Sequence, residues 1–425
     1  MKRLLFTLLT CLALHSTIAQ IRPDEFHFQQ FSTPQGLPNG KVHRVLQDSD
    51  GFIWIGTYYG LFRYDGYDVK SVKSDYNNPN LLLHNEVLSL CEDKNKRLWI
   101  GTQSGLNMLD KVTGKIHSME LPGIDRQRVH DIIETSDGEL YFGYIRGMYR
   151  YDASGDSLQA MNGSNYSGEL PEYANVQSFL EMPDGDLIIS TWTQGLFRYD
   201  PKNHHFTHYD LLSDENQTVR MQEMQDDDQG HLWLGTYGSG LYKIDFSADK
   251  QSIQTHRYFM ESGMDSNLES NYIMSLAKDP KGQNIWLGTR KGFSVMSSDS
   301  QGEPHFTNYA QNHLQNYFPE HDVNDIICDN HGLMWLATDD GGLYFTDPLK
   351  ENQFSVFRFS ESGQVQSNNI KGLLVTSDHE IWANTGYGIN YYKDGVTLQP
   401  ITGSVPHGIY YSKRQDLVLI PLRDG

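Results

Sequence analysis

Apolar and polar positions alternate along this chain in short runs, and the alternation itself recurs. The stretch DSDGFIWIGTYYGLFRYD, residues 48–65, holds two strand-like runs, Ile-Trp-Ile-Gly-Thr and Leu-Phe-Arg-Tyr-Asp, on either side of a glycine turn. It returns with changes as RLWIGTQSGLNMLD at 97–110, ELYFGYIRGMYRYD at 139–152, DLIISTWTQGLFRYD at 186–200 and HLWLGTYGSGLYKID at 231–245. NIWLGTRKGFSVM follows at 284–296, LMWLATDDGGLYFTD at 333–347 and EIWANTGYGINYYK at 380–393, and a ninth copy, DLVLIPLRDG, begins at Asp416. The glycines before the second apolar run stand at 60, 105, 147, 195, 240, 292, 342, 388 and 425. That spacing marks an internal repeat of about 46 residues.

Each copy is flanked by further alternating segments. Upstream lie VHRVLQD (42–48), VLSLCED (87–93), VHDIIET (129–135), IMSLAKD (273–279) and VNDIICD (323–329). Downstream lie KIHSMEL (115–121), HHFTHYDL (204–211), HRYFMES (256–262) and FSVFRFS (354–360). Helical periodicity is nearly absent beyond the first twenty residues. Four antiparallel strands in about 46 residues is the size of one β-propeller blade, so the expected fold is all-β. Trp54, Trp99, Trp233, Trp286, Trp335 and Trp382 share one place in the repeat, with Tyr141, Ile188 and Leu419 in the other copies. One large side chain per repeat at a fixed position reads as packing between blades.

FHFQQFS (26–32) precedes the first repeat and resembles the outer strands. A ring has to close, so this segment is expected to form the outer strand of the last blade, which removes two sheet edges. The expected architecture is a seven-bladed β-propeller of four-stranded blades over residues 20–360. Eight blades is the alternative, because repeat eight (about 363–401) keeps the same register. On the seven-blade reading FSVFRFS is surplus to the first ring. Residues 361–425 then begin a second, incomplete propeller with an open edge, expected to be the least stable part of the chain.

Residues 1–19 read as a secretory signal: Lys2 and Arg3, the apolar run LLFTLLTCLAL, then STIA before Gln20. The apolar run is too short to span a bilayer. Cys11 allows a lipoprotein reading, which Thr10 just before it fits poorly. The formal net charge of −20 disfavours nucleic acid and anionic membrane surfaces. Outside the signal only Cys91 and Cys328 remain, in the innermost strands of repeats two and seven, where no disulfide is expected.

The segment LPNGKVHRVLQDSDGFIWIGTYYGLFRYDG, residues 37–66, follows N-x-V-x-x-[LI]-x-x-D-x-x-G-x-[IL]-W-[IL]-G-T-x-x-G-L almost throughout. This pattern resembles the two-component regulator propeller repeat, and the resemblance covers residues 26–425. It implies the periplasmic sensor region of a hybrid two-component system, in which two seven-bladed propellers precede a β-sandwich, a membrane helix, a histidine kinase and a response regulator. It further implies a glycan-fragment signal, an oligosaccharide ligand, the remainder of the sensor kinase as partner, and a homodimer of the full-length parent. The sandwich, membrane helix and kinase are not in this sequence, which looks like the front part of such a sensor.

With the first strand of each blade innermost, the links between blades and the turns between second and third strands share one face. Those turns depart from the repeat and are rich in aromatic and charged residues: Tyr58, Tyr59, Arg146, Trp192, Gln194, Tyr237, Arg290, Asp339, Asp340 and Tyr387. They are the candidate ligand-binding residues, since flat aromatic faces beside Asp, Arg and Gln suit sugar rings and their hydroxyls. The enzymatic readings are thin. DSDGFIW lacks the spacing of a sialidase-type Asp-box, because Asp48 stands three residues before Gly51. Asp339 and Asp340 are adjacent in one turn, not a convergent acid–base pair. His204 and His205 point apart on one strand, so no metal site is expected. No phosphate loop, nucleophile elbow or other cofactor motif is found. The reading is a sensor region without catalytic residues, metal or cofactor; the alternative is a secreted glycan-active propeller enzyme, a lyase or hydrolase.

Overall fold

The structure is a computed structural model. It describes Phe26, residues 28–32, 36–37 and 41–349 apart from 75–80, 120–126, 162–164, 169, 214–216, 228, 261–267, 300–301, 310–317 and 319–320. Beyond these it describes 370–376, 380–385, 388–393, 396–402, 409–412 and 417–419. The chain divides into two compact units at Lys350 and Glu351.

The first unit is a ring of seven four-stranded antiparallel blades. The chain starts with β1 (Gln29–Phe31), which belongs to the last blade. Blade 1 follows as β2 (Val42–Gln47), β3 (Ile53–Thr57), β4 (Gly60–Tyr64) and β5 (Val69–Val72). Blade 2 is β6 (Val87–Glu92), β7 (Arg97–Thr102), β8 (Gly105–Asp110) and β9 (Lys115–Met119). Blade 3 is β10 (Val129–Glu134), β11 (Leu140–Tyr144), β12 (Gly147–Asp152) and β13 (Ser157–Ala160). Blade 4 is β14 (Val176–Glu181), β15 (Leu187–Thr191), β16 (Leu196–Asp200) and β17 (His205–Tyr209). Blade 5 is β18 (Met221–Asp226), β19 (Leu232–Thr236), β20 (Leu241–Phe246) and β21 (Ile253–Tyr258). Blade 6 is β22 (Ile273–Lys278), β23 (Asn284–Thr289), β24 (Gly292–Ser298) and β25 (Pro304–Tyr309). Blade 7 combines β26 (Val323–Cys328), β27 (Met334–Thr338) and β28 (Leu343–Thr346) with β1, in the order β1-β28-β27-β26.

The first strands are innermost. Each touches the first strand of the next blade, and the circuit closes between β26 and β2. Closure at the outside is the antiparallel pairing of β1 with β28, Gln29 opposite Phe345 and Phe31 opposite Leu343. Eight blades in one ring are thereby ruled out, and repeat eight forms a sheet of its own in the second unit. That sheet is β29 (Ile370–Val375), β30 (Ile381–Thr385), β31 (Gly388–Lys393) and β32 (Val396–Thr402), and the two-stranded β33 (Tyr410–Ser412) and β34 (Leu417–Leu419) accompanies it. The segment FSVFRFS and the signal sequence lie outside the described residues.

Seven buried apolar clusters hold the described ring, and each spans one junction between blades. Trp54 packs on Val87, Leu98 and Ile100 of blade 2, and Trp335 packs on Val42, Val45 and Ile55 of blade 1. Tyr141 and Ile188 do the same against blades 4 and 5. The repeated aromatic is therefore inter-blade packing, as its periodicity predicts. It also has a polar function that the spacing did not announce. The Trp54, Trp99, Trp233 and Trp335 indole N–H groups donate to Asp48, Asp93, Asp227 and Asp329, at 2.8, 2.9, 3.0 and 2.8 Å. Each aspartate stands six residues earlier, in the turn between the first and second strands. In blade 6 one extra residue separates Asp279 from Trp286; Asn284 takes the carboxylate at 2.6 Å, and the buried indole N–H has no partner among the described residues.

The glycine before the third strand has the backbone freedom inferred from the repeat, with φ of 133° at Gly60 and 128° at Gly105. A hydroxyl one turn earlier fastens this hairpin. Thr57, Thr102, Thr191, Thr236, Thr289 and Thr338 Oγ1 each donate to the carbonyl of that glycine, at 2.6–3.1 Å.

Candidate functional site

The innermost strands carry a β-bulge near their start, as between Val42 and Arg44 or Val323 and Asp325. The third residue of each innermost strand lies at the channel wall: Arg44, Ser89, Asp131, Ser178, Glu223, Ser275 and Asp325 in blades 1 to 7. Arg44 crosses the axis. Its Nη1 donates to Glu223 of blade 5 at 2.9 Å and to Asp325 of blade 7 at 3.2 Å, and its Nε donates to the Leu88 carbonyl at 3.2 Å. Asp325 also accepts from Val45 N, and Asp131 from Phe179 N, each at 2.8 Å. Burial opposes the Arg44 cation, but Glu223, Asp325 and Asp131 outweigh it and hold its pKa above the ordinary value. Burial, together with Glu223, pushes the Asp131 carboxyl up, and burial does the same to Asp325. The channel is therefore spanned by a charged tie.

At one end of the ring the second-to-third strand turn meets the residue that leads into the innermost strand. The same backbone bond recurs in all seven blades: Tyr58 N to Lys41 O, Gln103 to Glu86, Ile145 to Arg128, Trp192 to Asn175, Tyr237 to Arg220, Arg290 to Tyr272, and Asp339 to Asp322, at 2.8–3.3 Å. This bond fixes the turns and the inter-blade links to a common face.

On that face a strip of side chains runs from blade 4 to blade 1. The Trp192 and Tyr237 rings are 5.3 Å apart, and the Tyr237 and Tyr272 rings 4.9 Å. Arg220 lies 5.8 Å over Trp192, while Arg290 lies 4.7 Å over Tyr237 and 5.0 Å over Tyr272. Arg290 Nε is 3.5 Å from Asp322, and Lys41 Nζ binds Asp339 at 2.7 Å. The hydrogen bond to Asp339 raises the Lys41 pKa, and burial raises that of Asp322 although Arg290 opposes it.

The candidate residues separate accordingly. Trp192, Tyr237, Arg290 and Asp339 belong to the strip. Tyr58 and Tyr59 form an exposed edge-to-face pair, 5.3 Å apart, in blade 1. Arg146 covers the exposed Tyr173 ring at 5.6 Å. Gln194 is spent locally, accepting from Asn175 N of the preceding link at 3.3 Å and from Thr193 N of its own turn at 3.4 Å. Asp340 is exposed beside the Lys41–Asp339 pair. Tyr387 lies outside the described residues. Sequence reasoning did not single out Lys41, Arg220, Tyr272 or Asp322. Each directly precedes an innermost strand, or lies one residue from its start, and that fixed place is the signal that marks them.

Among the described residues one acidic group, Asp48, Asp50 and Glu92, has the mutual spacing of metal ligands. The Lys111 ammonium already sits among them, 2.9 Å from Asp48 and from Asp50 and in contact with Glu92. The arrangement is an ion-pair cluster, to which Lys96 adds a second ammonium at 2.6 Å from Asp50. Cys91 and Cys328 are free thiols, and burial pushes Cys91 up to about 12, which makes it a poor nucleophile.

Comparison with known proteins agrees with this architecture. Residues 36–59, 81–104 and 267–291 match the family described as two component regulator propeller. A 177-residue stretch is 26% identical to histidine kinase P4 of Formosa agariphila, covering 40% of this chain and 12% of that protein. The extracellular domain of a hybrid two component system from B. thetaiotaomicron superposes with a TM-score of 0.68 at 19% identity, over 93% of this chain and 52% of that one. A streptogramin B lyase shares the fold more distantly, with a TM-score of 0.55 at 13% identity, over 76% of this chain and 97% of the lyase. The chain thus spans about half of the similar extracellular domain and a small part of the kinase.

Proposed function

We propose that this chain, built of two component regulator propeller repeats, is the ligand-sensing propeller region of a hybrid two-component sensor. It is exported by the signal at residues 1–19, works in the periplasm, and relays binding to a histidine kinase carried by a longer polypeptide that acts as a homodimer. The signal is a glycan fragment. Residues 361–425 start a second propeller of the same sensor. The observation that carries the ligand reading is the strip Trp192–Tyr237–Tyr272 with Arg220, Arg290 and Asp322 across blades 4 to 7. Adjacent aromatic rings edged by planar charged groups match what a sugar offers, an apolar C–H face and a rim of hydroxyls. Binding across several blades suits a sensor, because a ligand that favours one arrangement of two or more blades shifts their equilibrium.

The test is a glycan-array screen of the purified chain, followed by calorimetry with the Trp192→Ala and Tyr237→Ala variants. An oligosaccharide should bind, each variant should weaken it about tenfold or more, and the sugar should be recovered uncleaved. Absence of any glycan ligand, or affinity untouched by both substitutions, rejects the assignment. Turnover abolished by a single carboxylate substitution would replace the sensor with an enzyme.

A further inference from the structure

On the face opposite the Trp192 strip, the third-to-fourth strand turn of one blade meets the first-to-second strand turn of the blade before it. Two of these corners are filled by a lysine. Lys111 of blade 2 enters the acidic turn of blade 1, and Lys250 of blade 5 binds Asp184 and Asp186 of blade 4 at 2.7 and 2.9 Å. The corner between blades 2 and 3 is built the other way round. The blade 2 turn offers Lys94 and Asn95, and the blade 3 turn offers Asp152, Ala153 and Ser154. No long side chain fills it, and a cavity of about 340 Å³ remains, within the size range of small-ligand sites.

Blade 3 has Thr135 and Tyr141 in the places of the Asp–Trp pair, as blade 4 has Met182 and Ile188. The basic residue opposite the aromatic position on the third strand is partnered differently from blade to blade. In blade 4 that residue is Arg198, held by Asp186 and Asp184 at 2.6 Å each. In blade 3 it is Arg150, whose nearest carboxylate among the described residues is Glu139 at 3.5 Å; its buried Nε has no hydrogen-bond partner among the described residues, as is also true of Arg63 opposite Trp54 in blade 1. The Lys94 ammonium has no ion-pair partner among the described residues. Two of the lining carboxylates are already engaged. Asp152 accepts from Ser154 N and Oγ and from Gln159, and Glu134 accepts from Lys94 N. The capacity left open at the pocket is for an acceptor beside the Lys94 ammonium and the exposed end of the Arg150 guanidinium, with Glu139 left to receive hydroxyls.

We propose that the pocket between blades 2 and 3 binds a sugar unit bearing a carboxylate, with the carboxylate between Lys94 and Arg150 and hydroxyls toward Glu139. The choice of a sugar rests on the glycan-sensing reading above; the requirement for an anion does not. The experiment is calorimetric titration of the purified protein with D-glucuronate, D-glucose and acetate. Glucuronate should bind, more tightly than acetate, and glucose should not. Lys94→Glu, on an exposed turn, and Arg150→Gln should each weaken glucuronate at least tenfold, while Trp192→Ala leaves it unchanged. Equal binding of acetate and glucuronate, no binding of either, or loss through Trp192→Ala alone overturns the proposal. If glucuronate binds here and no glycan binds the Trp192 strip, the pocket stands and the strip reading falls. The opposite result removes the pocket alone.

Discussion

At the residue scale the Asp–Trp pair does two jobs at once. The indole fills an inter-blade gap, and the aspartate satisfies the one polar atom that this burial would strand. The same carboxylate ties its own turn, since Asp329 accepts from His331 N and Leu333 N at 2.9 Å besides Trp335. Asp329→Ala should therefore cost about 2–4 kcal/mol, the sum of a stranded indole and a loosened turn. Asp279→Ala should cost about 1 kcal/mol less, because Trp286 has no bond to lose. Urea unfolding of both variants checks the order, and equal losses would show that the indole bond contributes nothing. Acid sensitivity is also set by single residues. Burial beside Arg128 and Arg44 lowers the His130 pKa from 6.5 to about 3. Between those two values the unfolded chain holds a proton there that the folded chain does not. Stability falls as pH drops through this window, by up to about 1.4 kcal/mol per pH unit. His130→Gln should flatten the urea midpoint against pH between 6.5 and 3; an unchanged slope would assign the sensitivity to other groups. The aromatic periodicity was legible in the sequence, but the six-residue link from Asp to Trp was not drawn from it. The basic and tyrosine residues leading into the innermost strands were missed because those links otherwise keep no pattern.

At the scale of the strand, the glycine of Trp-Ile-Gly-Thr is a point of close approach between blades. A Cβ at Gly101 would overlap Ser89 Oγ and come within 2.9 Å of Val129 in the innermost strand of blade 3. Blade 7 has Ala337 in this place and blade 4 has Ser190, both fully buried. Gly101→Ala should cost about 1–3 kcal/mol through overpacking, while Ala337→Gly should cost about 1–2 kcal/mol through backbone entropy and one lost buried methyl, with no overlap to relieve. Thermal denaturation of the two variants tests the contrast. Second and third strands were legible because both faces are buried and the residues are β-branched or aromatic. Outer strands were legible only in part. Val69–Val72 and Ser157–Ala160 are short, with one face in water, and show little alternation. Met221–Asp226 is innermost but polar on its channel side, so it reads as a loop. HRYFMES was read as starting at 256, whereas the strand is Ile253–Tyr258, because its exposed Gln254 and Thr255 gave no signal.

For the whole molecule the decisive number is seven, and it depends on a strand from the far end of the chain. Phe26 packs on Trp286 at 4.8 Å and on Tyr309 at 5.1 Å, and Phe31 is buried with Leu343 and Trp335. Removing residues 26–31 discards two buried phenylalanines, each worth about 3–5 kcal/mol, and exposes the edge of β28. Hydrogen exchange should then rise first in blade 7; uniform protection would mean that the innermost strands alone close the ring. The second unit has apolar side chains in water, Leu373 and Val375 on β29 and Leu417 and Leu419 on β34. Limited proteolysis should trim this unit and leave a resistant core that ends near residue 350, and equal resistance of both units would contradict the split. Periodicity made the blade count legible to within one. Counting strands, not reading pattern, decided between seven and eight.

The β1–β28 pairing has a mechanical consequence. The strands are antiparallel, and Gln29, where β1 begins, lies opposite Phe345, near where β28 ends. Tension applied between the two ends of the ring therefore pulls at the same end of the pair. The ladder bonds peel one after another and do not share the load in shear. In an optical trap the first event on stretching should be a low-force opening at blade 7 that releases β1. The six blades sewn from contiguous sequence should yield afterwards, at higher force.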